Sequence, residues 1–196
     1  MSLILASTSA ARRRMLSDAG LVFEAVAPDC DEEAAKLEFR AQGLAPRAQA
    51  EGLAELKALA VSRKRTGLVI GADQMLAIDE AVLDKPKSPE EARSHLLRLR
   101  GRTHELLTAA VVAEGERVLW RCTDAPKLLM RDFSDSFLET YLGAAGENVL
   151  RSVGAYQLEG LGGQLFERVD GDFFSVLGLP LLPLMAFLRE QGELNA

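Results

Sequence analysis

Segments typical of β-strands and α-helices alternate along this chain, and that alternation constrains the fold more than any other feature. In residues 3–73, apolar runs that suit strands are separated by segments with helical spacing and capping residues. These segments are a strand at 3–7, a helix from Ser9 to Gly20, a strand at 21–28, a helix at 46–63 and a strand at 68–73. Successive strand–helix units predict an α/β fold.

The rest of the chain mixes such units with hairpins. The clearest helix begins at the capping box of Ser88 and Glu91 and stops at Gly101. Further predicted elements are a long hairpin around Gly115, a helix from Ser134 through Tyr141, a hairpin turning at Asp170-Gly171, and a helix from Pro180 to about Gln191. Together they predict a mixed, twisted sheet flanked by helices.

Composition narrows the function classes. The 196 residues are 48% hydrophobic, enough for a substantial core, and the formal net charge is −6. That charge argues against nucleic-acid binding through bulk positive potential, so any anion site must be local. Because no signal-like segment or membrane-spanning stretch is evident, the sequence predicts a soluble, cytoplasmic protein that does not bind membranes.

Three consecutive arginines, residues 12–14, follow the first strand and stand in the first turns of the predicted helix. A helix N-terminus already carries partial positive charge, so arginine there is unfavourable without an anion. Arg14 can pair with Asp18 in solvent, but helical geometry places Arg12 on the apolar face with Met15 and Leu16. An inward arginine beside free helix N–H groups favours phosphate as a partner; the alternative is a solvated basic face.

A carboxylate ends the strand at 68–73. Ligands of α/β proteins bind at the carboxyl edge of the sheet, which makes Asp73 a candidate catalytic or metal-binding group. The alternative is an ordinary strand-to-turn aspartate. Lys85 could reach the same edge, whereas Lys57 is ambiguous on its helix. The acidic run at 29–33 could supply oxygen ligands for Mg²⁺ or form a solvated loop.

Other motifs give weaker indications of function. The segment GAYQLEGLGGQLF (154–166) contains Glu159 and four glycines, but it does not open a helix after a first strand, so a Rossmann interpretation is weak. It fits a tight loop close to a ligand or a neighbouring strand. His95 and His104 lack the spacing of a metal pair and are predicted to be ordinary surface or helix residues.

Six motifs in order resemble the Maf family of nucleoside triphosphate pyrophosphatases. The resemblance spans almost the whole chain, as one domain over residues 1–196. The motifs are LILASTSAARRRML (3–16), LAELKA (53–58), VIGADQ (69–74), LDKPKSPEEA (83–92), LRGRTHELLTA (99–109) and SVGAYQLEGLGGQLFERVDGDFFSVLGLPL (152–181).

This resemblance implies a homodimer of α/β chains, each with a cleft between two lobes. It also implies metal-dependent hydrolysis, with Mg²⁺ or Mn²⁺, of a nucleoside triphosphate to the monophosphate and pyrophosphate. Asp73 and Lys85 would be catalytic, and Asp73 with Glu32 would form the metal shell. The substrate-binding residues would be Ser7, Ser9, Arg12, Arg13, Lys57, Gln74 and Glu159. Whether Asp73 acts as a base or as a metal ligand stays open.

The chain departs from the family pattern in places. Ala10 stands where proline is usual, with little expected effect on the helix start. Gln74 and Glu159 are similar to the 7-methyl-GTP branch, whereas GAY at 154–156 is similar to the branch that acts on dTTP and UTP. A carboxylate at 159 could accept from a guanine edge, so a modified purine nucleotide is favoured. A different function remains possible: a nucleotide-binding regulator of cell division without turnover.

Overall fold

Strands and helices alternate through the computed structural model of this protein, which describes residues 2–79 and 81–194. The strands are β1 (Leu3–Ala6), β2 (Glu24–Val26), β3 (Leu68–Ile78), β4 (Ala81–Leu83), β5 (Thr103–Glu114), β6 (Arg117–Asp124), β7 (Lys127–Met130) and β8 (Phe166–Asp170). The helices are α1 (Ala10–Asp18), α2 (Glu32–Ala41), α3 (Pro46–Ser62), α4 (Pro89–Leu99), α5 (Asp135–Ala145), α6 (Phe173–Val176) and α7 (Leu181–Glu190). Short 3-10 turns cover Gly146–Leu150, Val153–Ala155 and Leu161–Leu165.

The sheet is mixed, as predicted. Its order is β2-β1-β3-β5-β7-β8, with β4 paired to β3 and β6 paired to β5. β1 runs parallel to both β2 and β3, with Ala6 opposite Val26 on one side and Gly71 on the other. The pairs β5–β6, β5–β7, β7–β8 and β3–β4 are antiparallel. The carboxyl ends of the parallel strands lie side by side at one edge of the sheet. There Ser7 follows β1, and Ala72 follows the part of β3 that pairs with β1.

The chain divides into two compact units. The first contains residues 2–74, 108–124 and 173–194, and the second contains residues 75–107 and 125–172 of the described chain. The first unit holds the parallel strands with α1, α2, α3, α6 and α7, and the second holds α4 and α5 with β4, β7 and β8. The assignment of residues 1–196 to one family domain stays a prediction.

Alternation along β3 gives its two faces different neighbours in the first unit. Ile70 and Ala72 belong to a core cluster that includes Leu16 of α1 and Leu184 of α7. Gly71, on the opposite face, lies so close to α3 that an added Cβ would stand 2.2 Å from the Ala54 carbonyl oxygen. Because side chains alternate along a strand, Asp73 projects toward α3 like Gly71.

Most local signals form the expected elements. The Ser9 side chain accepts a hydrogen bond from the Arg12 amide and caps α1, and Ser88 caps α4 through the Glu91 amide. Gly115 sits at the predicted β5–β6 turn with a φ of 57°.

The hairpin predicted at Asp170-Gly171 is wrong. β8 pairs with β7, and the chain turns directly into α6. Gly171 is needed here for a close approach, because a Cβ on it would lie 2.8 Å from the Cβ of Pro126. The glycine therefore marks a backbone contact rather than a hairpin turn.

The solvated-loop alternative for the acidic run at 29–33 holds for Asp29 and Asp31, which lie exposed ahead of α2, and is wrong for Glu32 and Glu33. Asp31 caps α2 by accepting from the Ala34 amide, and Glu32 and Glu33 occupy its first turn. Acidic residues are favoured there because a helix N-terminus carries partial positive charge. In the part of the chain that the structure describes, no helix combines the length and apolar character needed to cross a bilayer.

Candidate active site

A charged cluster, made of Lys57, Asp73 and Glu32, lies in the first unit at the carboxyl ends of the parallel strands. The Lys57 Nζ contacts the Asp73 Oδ1 at 2.7 Å and the Glu32 Oε2 at 2.8 Å. Lys57 and Asp73 are buried, with 7% and 9% of their surface exposed, whereas Glu32 is partly exposed. Paired in this way, the ions avoid the cost of a lone buried charge.

Local sequence explains how Lys57 reaches this position. In α3 it lies one turn after Leu53 and one turn before Val61, both of which are buried. Lys57 is therefore on the inward face of the helix. The close contact between Gly71 and Ala54 brings β3 against that face, so the Asp73 carboxylate meets the Lys57 ammonium.

Arg12 points inward, as its helical position predicts, with 9% of its surface exposed. Its Nε donates to the Gly178 carbonyl oxygen at 2.7 Å, and its Nη1 donates to the Ala72 carbonyl oxygen at 2.9 Å and the Ser7 Oγ at 3.5 Å. These acceptors fix the plane of the guanidinium before any ligand arrives.

The electrostatics link Arg12 to the charged cluster. Burial lowers the pKa of the Arg12 guanidinium, and the negative charges of Asp73 and Glu32 oppose that shift. Arg12 therefore sits where it feels both carboxylates, although its hydrogen bonds go to backbone carbonyls and Ser7. Two cations, two carboxylates and the start of α1 gather in this part of the first unit.

The neighbouring arginines differ from Arg12. Arg13 is exposed and its Nη2 donates to the Thr8 carbonyl oxygen at 3.4 Å. Arg14 pairs with Asp18 at 3.4 Å on the surface, which confirms the predicted solvent pair. The Ser9 amide donates to the Ser7 Oγ, so the loop between β1 and α1 is internally braced.

Gln74 faces away from the charged cluster. Its Nε2 donates to the Thr108 Oγ1 at 2.8 Å and to the carbonyl oxygens of Ser175 and Val176 at 3.0 and 3.1 Å. These partners were not among the residues singled out in the sequence. The signal for Thr108 was present, because it is a lone hydroxyl in the apolar run LLTAAVVA.

Lys85 and Glu159 belong to the second unit. Lys85 is exposed after β4, and Glu159 is exposed in the turn before the last 3-10 segment. Their participation in the same site as the charged cluster stays a prediction.

The charged cluster offers the carboxylates of Asp73 and Glu32 as ligands for a divalent metal. Asp73 Oδ1 and Glu32 Oε2 lie within 5.5 Å of each other, the most that contacts of 2.7 and 2.8 Å to one Nζ allow. Two converging carboxylates suit Mg²⁺, which uses few protein ligands and completes its shell with phosphate oxygens and water. Within residues 2–79 and 81–194, no group of three or more His, Cys, Asp or Glu forms an all-protein metal site.

His95 and His104 are both buried, so the surface alternative for them is wrong. His104 lies on β5, where its Nε2 is 2.7 Å from the Tyr156 hydroxyl, and Tyr141 donates to the Ala155 carbonyl oxygen. We call His104, Tyr156 and Tyr141 the aromatic cluster of the second unit. Burial lowers the pKa of His104 to about 4 and raises that of Tyr141 to about 12. These groups are therefore neutral near pH 7.

Comparisons with known proteins show which family the chain belongs to. The family model described as "Maf-like protein" matches residues 2–191. A protein of Paramagnetospirillum magneticum named "Nucleoside triphosphate pyrophosphatase" is 55% identical over 97% of this chain and 99% of its own length. One of Hyphomonas neptunium with the same name is 51% identical over 96% of each chain. A "7-methyl-GTP pyrophosphatase" of Rhizobium meliloti is 47% identical over 99% of this chain and 98% of its own. The chain belongs to the Maf-like protein family.

Proposed function

We propose that this protein hydrolyses nucleoside triphosphates to the nucleoside monophosphate and pyrophosphate. The observation that carries the proposal is Lys57 held between Asp73 and Glu32, in the same unit as the buried Arg12. Relatives of about half identity over nearly their full length carry that activity in their names. A regulator that only binds nucleotide would need the cations but not the converging carboxylates.

The residues divide the work between binding and proton transfer. Arg12 and Lys57 supply positive charge to the triphosphate, and the loop from Ser7 to Ser9 offers it the N-terminus of α1. Arg13, Lys85 and Glu159 join the substrate site in this proposal. Cleavage of a phosphoanhydride depends mainly on positioning and charge neutralisation, which these groups provide.

A water molecule attacks one of the two phosphorus atoms that flank the oxygen bridging the α- and β-phosphates. The bond from that phosphorus to the bridging oxygen breaks, and the oxygen leaves with the other phosphate group. The Asp73 carboxylate accepts the water proton and later releases it to solvent. Asp73 and Glu32 are the residues that would hold a divalent cation. When bound, such a cation neutralises phosphate charge and acidifies water. Lys57, whose ammonium contacts both carboxylates, supplies positive charge for the phosphate groups beside the same oxygens.

For the base, we propose a modified purine nucleotide of the 7-methyl-GTP type, with dTTP and UTP as the next candidates. Two relatives of 47% identity, from Rhizobium meliloti and Mesorhizobium japonicum, are named 7-methyl-GTP pyrophosphatase. The exposed Glu159 carboxylate could accept hydrogen bonds from a guanine edge. We also propose that the protein acts as a homodimer in the cytoplasm, without stable nucleic-acid binding.

A nucleotide panel tests the proposal. Wild-type protein with Mg²⁺ or Mn²⁺ is incubated with 7-methyl-GTP, dTTP, UTP, GTP and ATP, and monophosphate and pyrophosphate are quantified separately from diphosphate and phosphate. We expect pyrophosphate and monophosphate in equal amounts, fastest from 7-methyl-GTP. No pyrophosphate from any nucleotide, together with calorimetric binding of one of them, would overturn the enzyme proposal in favour of the regulator.

A further inference from the structure

Thr108 is a fully buried hydroxyl in an otherwise apolar part of β5, and its surroundings explain why it is not a valine. It has no exposed surface, and its neighbours from Leu106 to Ala113 in the sequence are apolar and buried. A buried hydroxyl costs free energy unless it is hydrogen-bonded. Here the Thr108 Oγ1 donates to the Ser175 carbonyl oxygen at 2.8 Å and accepts from the Gln74 Nε2 at 2.8 Å.

Thr108 and Gln74 both donate to carbonyl oxygens at the end of α6. The last carbonyl groups of a helix lack partners within the helix, and a helix as short as α6 has few contacts of its own. The Gln74 Nε2 donates to the carbonyl oxygens of Ser175 and Val176, and Thr108 adds a second donor to Ser175. Thr108 also holds the Gln74 amide in place, so the four residues form one network.

The segment that this network holds ends at the acceptor of Arg12. Gly178 follows α6 with a φ of 106°, its amide donates to the Ser175 carbonyl oxygen, and its own carbonyl oxygen accepts from the Arg12 Nε at 2.7 Å. A Cβ on Gly178 would lie 3.5 Å from the Arg12 Nε, so the backbone here passes directly against the guanidinium. A shift of α6 would therefore move the acceptor that orients Arg12.

We propose that Thr108 is a positioning residue, which acts through Gln74 and residues 175–178 to orient the Arg12 guanidinium for the triphosphate. The identity of the substrate in this inference rests on the proposed function, whereas the hydrogen bonds that orient Arg12 are those of the free protein. Gln74 then connects the two faces of β3. Its own side chain lies in the network, and the preceding residue, Asp73, belongs to the charged cluster on the other face. The hydroxyl of Thr108 is the part that matters, since its methyl group could be supplied by valine.

The test compares Thr108→Val with Thr108→Ser. Valine preserves the shape and removes the hydroxyl, whereas serine keeps the hydroxyl and removes a methyl group. For Thr108→Val we expect the KM for the nucleotide to rise about tenfold, with a smaller change in kcat, since a hydrogen bond of ordinary strength is lost. For Thr108→Ser we expect a KM within about twofold of the wild-type value.

Three controls separate positioning from general destabilisation. Val112→Ala, on the same strand and fully buried, lowers stability without touching the network and should leave the KM unchanged. In an Arg12→Lys background, which lacks the Nε donor, Thr108→Val should add less than about a twofold change. In ¹⁵N-arginine-labelled protein, the Nε–H signal that Arg12→Lys removes should exchange with solvent about tenfold faster in Thr108→Val.

The proposal is overturned if Thr108→Val changes neither the KM nor the Arg12 exchange rate, or if Val112→Ala raises the KM as much at equal stability. Full additivity with Arg12→Lys would also contradict it. Should Thr108→Val fail to fold, Gln74→Met removes the same network from its other side and is measured in its place. If the wild-type protein releases no pyrophosphate, the proposed function fails, and the Arg12 exchange measurement alone decides the positioning role.

Discussion

The charged cluster of the first unit and the aromatic cluster of the second unit meet the cost of burying polar groups in opposite ways. Lys57, Asp73 and Glu32 keep their charges and compensate them by direct contact. His104 and the tyrosines are neutral near pH 7, because burial lowers the pKa of His104 to about 4 and raises that of Tyr141 to about 12.

This difference between the two clusters indicates which of them takes part in chemistry. Buried charges are costly to keep and are often no more stabilising than apolar side chains, so a retained charged cluster points to a function other than stability. A neutral cluster with hydrogen bonds and ring contacts, such as Tyr156 against Phe166 at 4.8 Å, serves packing. Changes in the first cluster should therefore alter activity, and changes in the second should alter stability.

Replacement of Lys57 by methionine should lower activity strongly. It removes the ammonium between Asp73 and Glu32, which in the proposed function also neutralises the triphosphate, so we expect pyrophosphate release to fall by about 10³-fold. Steady-state rates at saturating nucleotide measure this. Lys64→Met is the matched control, because Lys64 is exposed and pairs with Asp29 at the surface. Comparable losses in the two variants would contradict the assignment.

The pH dependence of stability should report the aromatic cluster. In the unfolded chain His104 takes up a proton below its ordinary pKa of 6.5, whereas in the folded protein it does so only near 4. Stability is therefore highest above pH 6.5 and falls as the pH drops toward 4, by about 3 kcal/mol from this group. Denaturant unfolding at several pH values measures the loss.

His104→Phe keeps an aromatic ring and should remove that part of the acid sensitivity. His95→Gln is the comparison: burial also lowers the pKa of His95, but the Glu91 carboxylate at 3.8 Å opposes the shift. Its contribution should be smaller. An unchanged slope between pH 4 and 6.5 in His104→Phe would show that another group causes the acid sensitivity.

Gly71→Ala should loosen the charged cluster through the backbone. The new Cβ would stand 2.2 Å from the Ala54 carbonyl oxygen and 2.6 Å from the Ala58 amide, so α3 must move away from β3. We expect a loss of about 1–3 kcal/mol and reduced activity. Gly143→Ala on α5 meets nothing within 4 Å and should be neutral or stabilising by up to about 1 kcal/mol. Equal stability of both variants by chemical denaturation would refute the close contact.

Tyr141→Phe should have the smallest effect. It removes the hydrogen bond from the Tyr141 hydroxyl to the Ala155 carbonyl oxygen and leaves the ring in place. We expect a loss of about 1 kcal/mol in unfolding free energy with activity unchanged. A drop in activity without a drop in stability would assign a functional role to the aromatic cluster and break the contrast between the two regions.

Local chemistry made part of this structure predictable. The Ser9 cap, the inward direction of Arg12 and the turn at Gly115 depend on neighbours within a few residues, and each is confirmed. Lys57 is ambiguous in the sequence, but its position on α3 between the buried Leu53 and Val61 accounts for its inward side chain. No helix is predicted from the sequence at Glu32–Ala41, although Asp31 ahead of two glutamates is typical of a helix start.

Contacts between distant residues were not predictable in the same way. The carbonyl groups that orient Arg12 belong to Ala72 and Gly178, far away along the chain, and backbone acceptors leave no mark in a sequence. The sequence predicts a hairpin at Gly171 because glycine is typical of such turns. Residue type alone does not distinguish that case from a glycine that is needed for contact with Pro126. His104 was misplaced because a buried, neutral histidine depends on partners from other segments.

Asp73→Asn should separate nucleotide binding from hydrolysis. The variant keeps the shape of the side chain and an oxygen toward Lys57 but removes the carboxylate to which we assign proton transfer and metal binding in the proposed function. Nucleotide binding by calorimetry and pyrophosphate release are measured on the same preparations of wild type and variant. We predict that the variant binds nucleotide within about tenfold of the wild-type affinity and loses pyrophosphate release by at least about 10³-fold. Undiminished pyrophosphate release by Asp73→Asn would contradict the proposed role of the charged cluster.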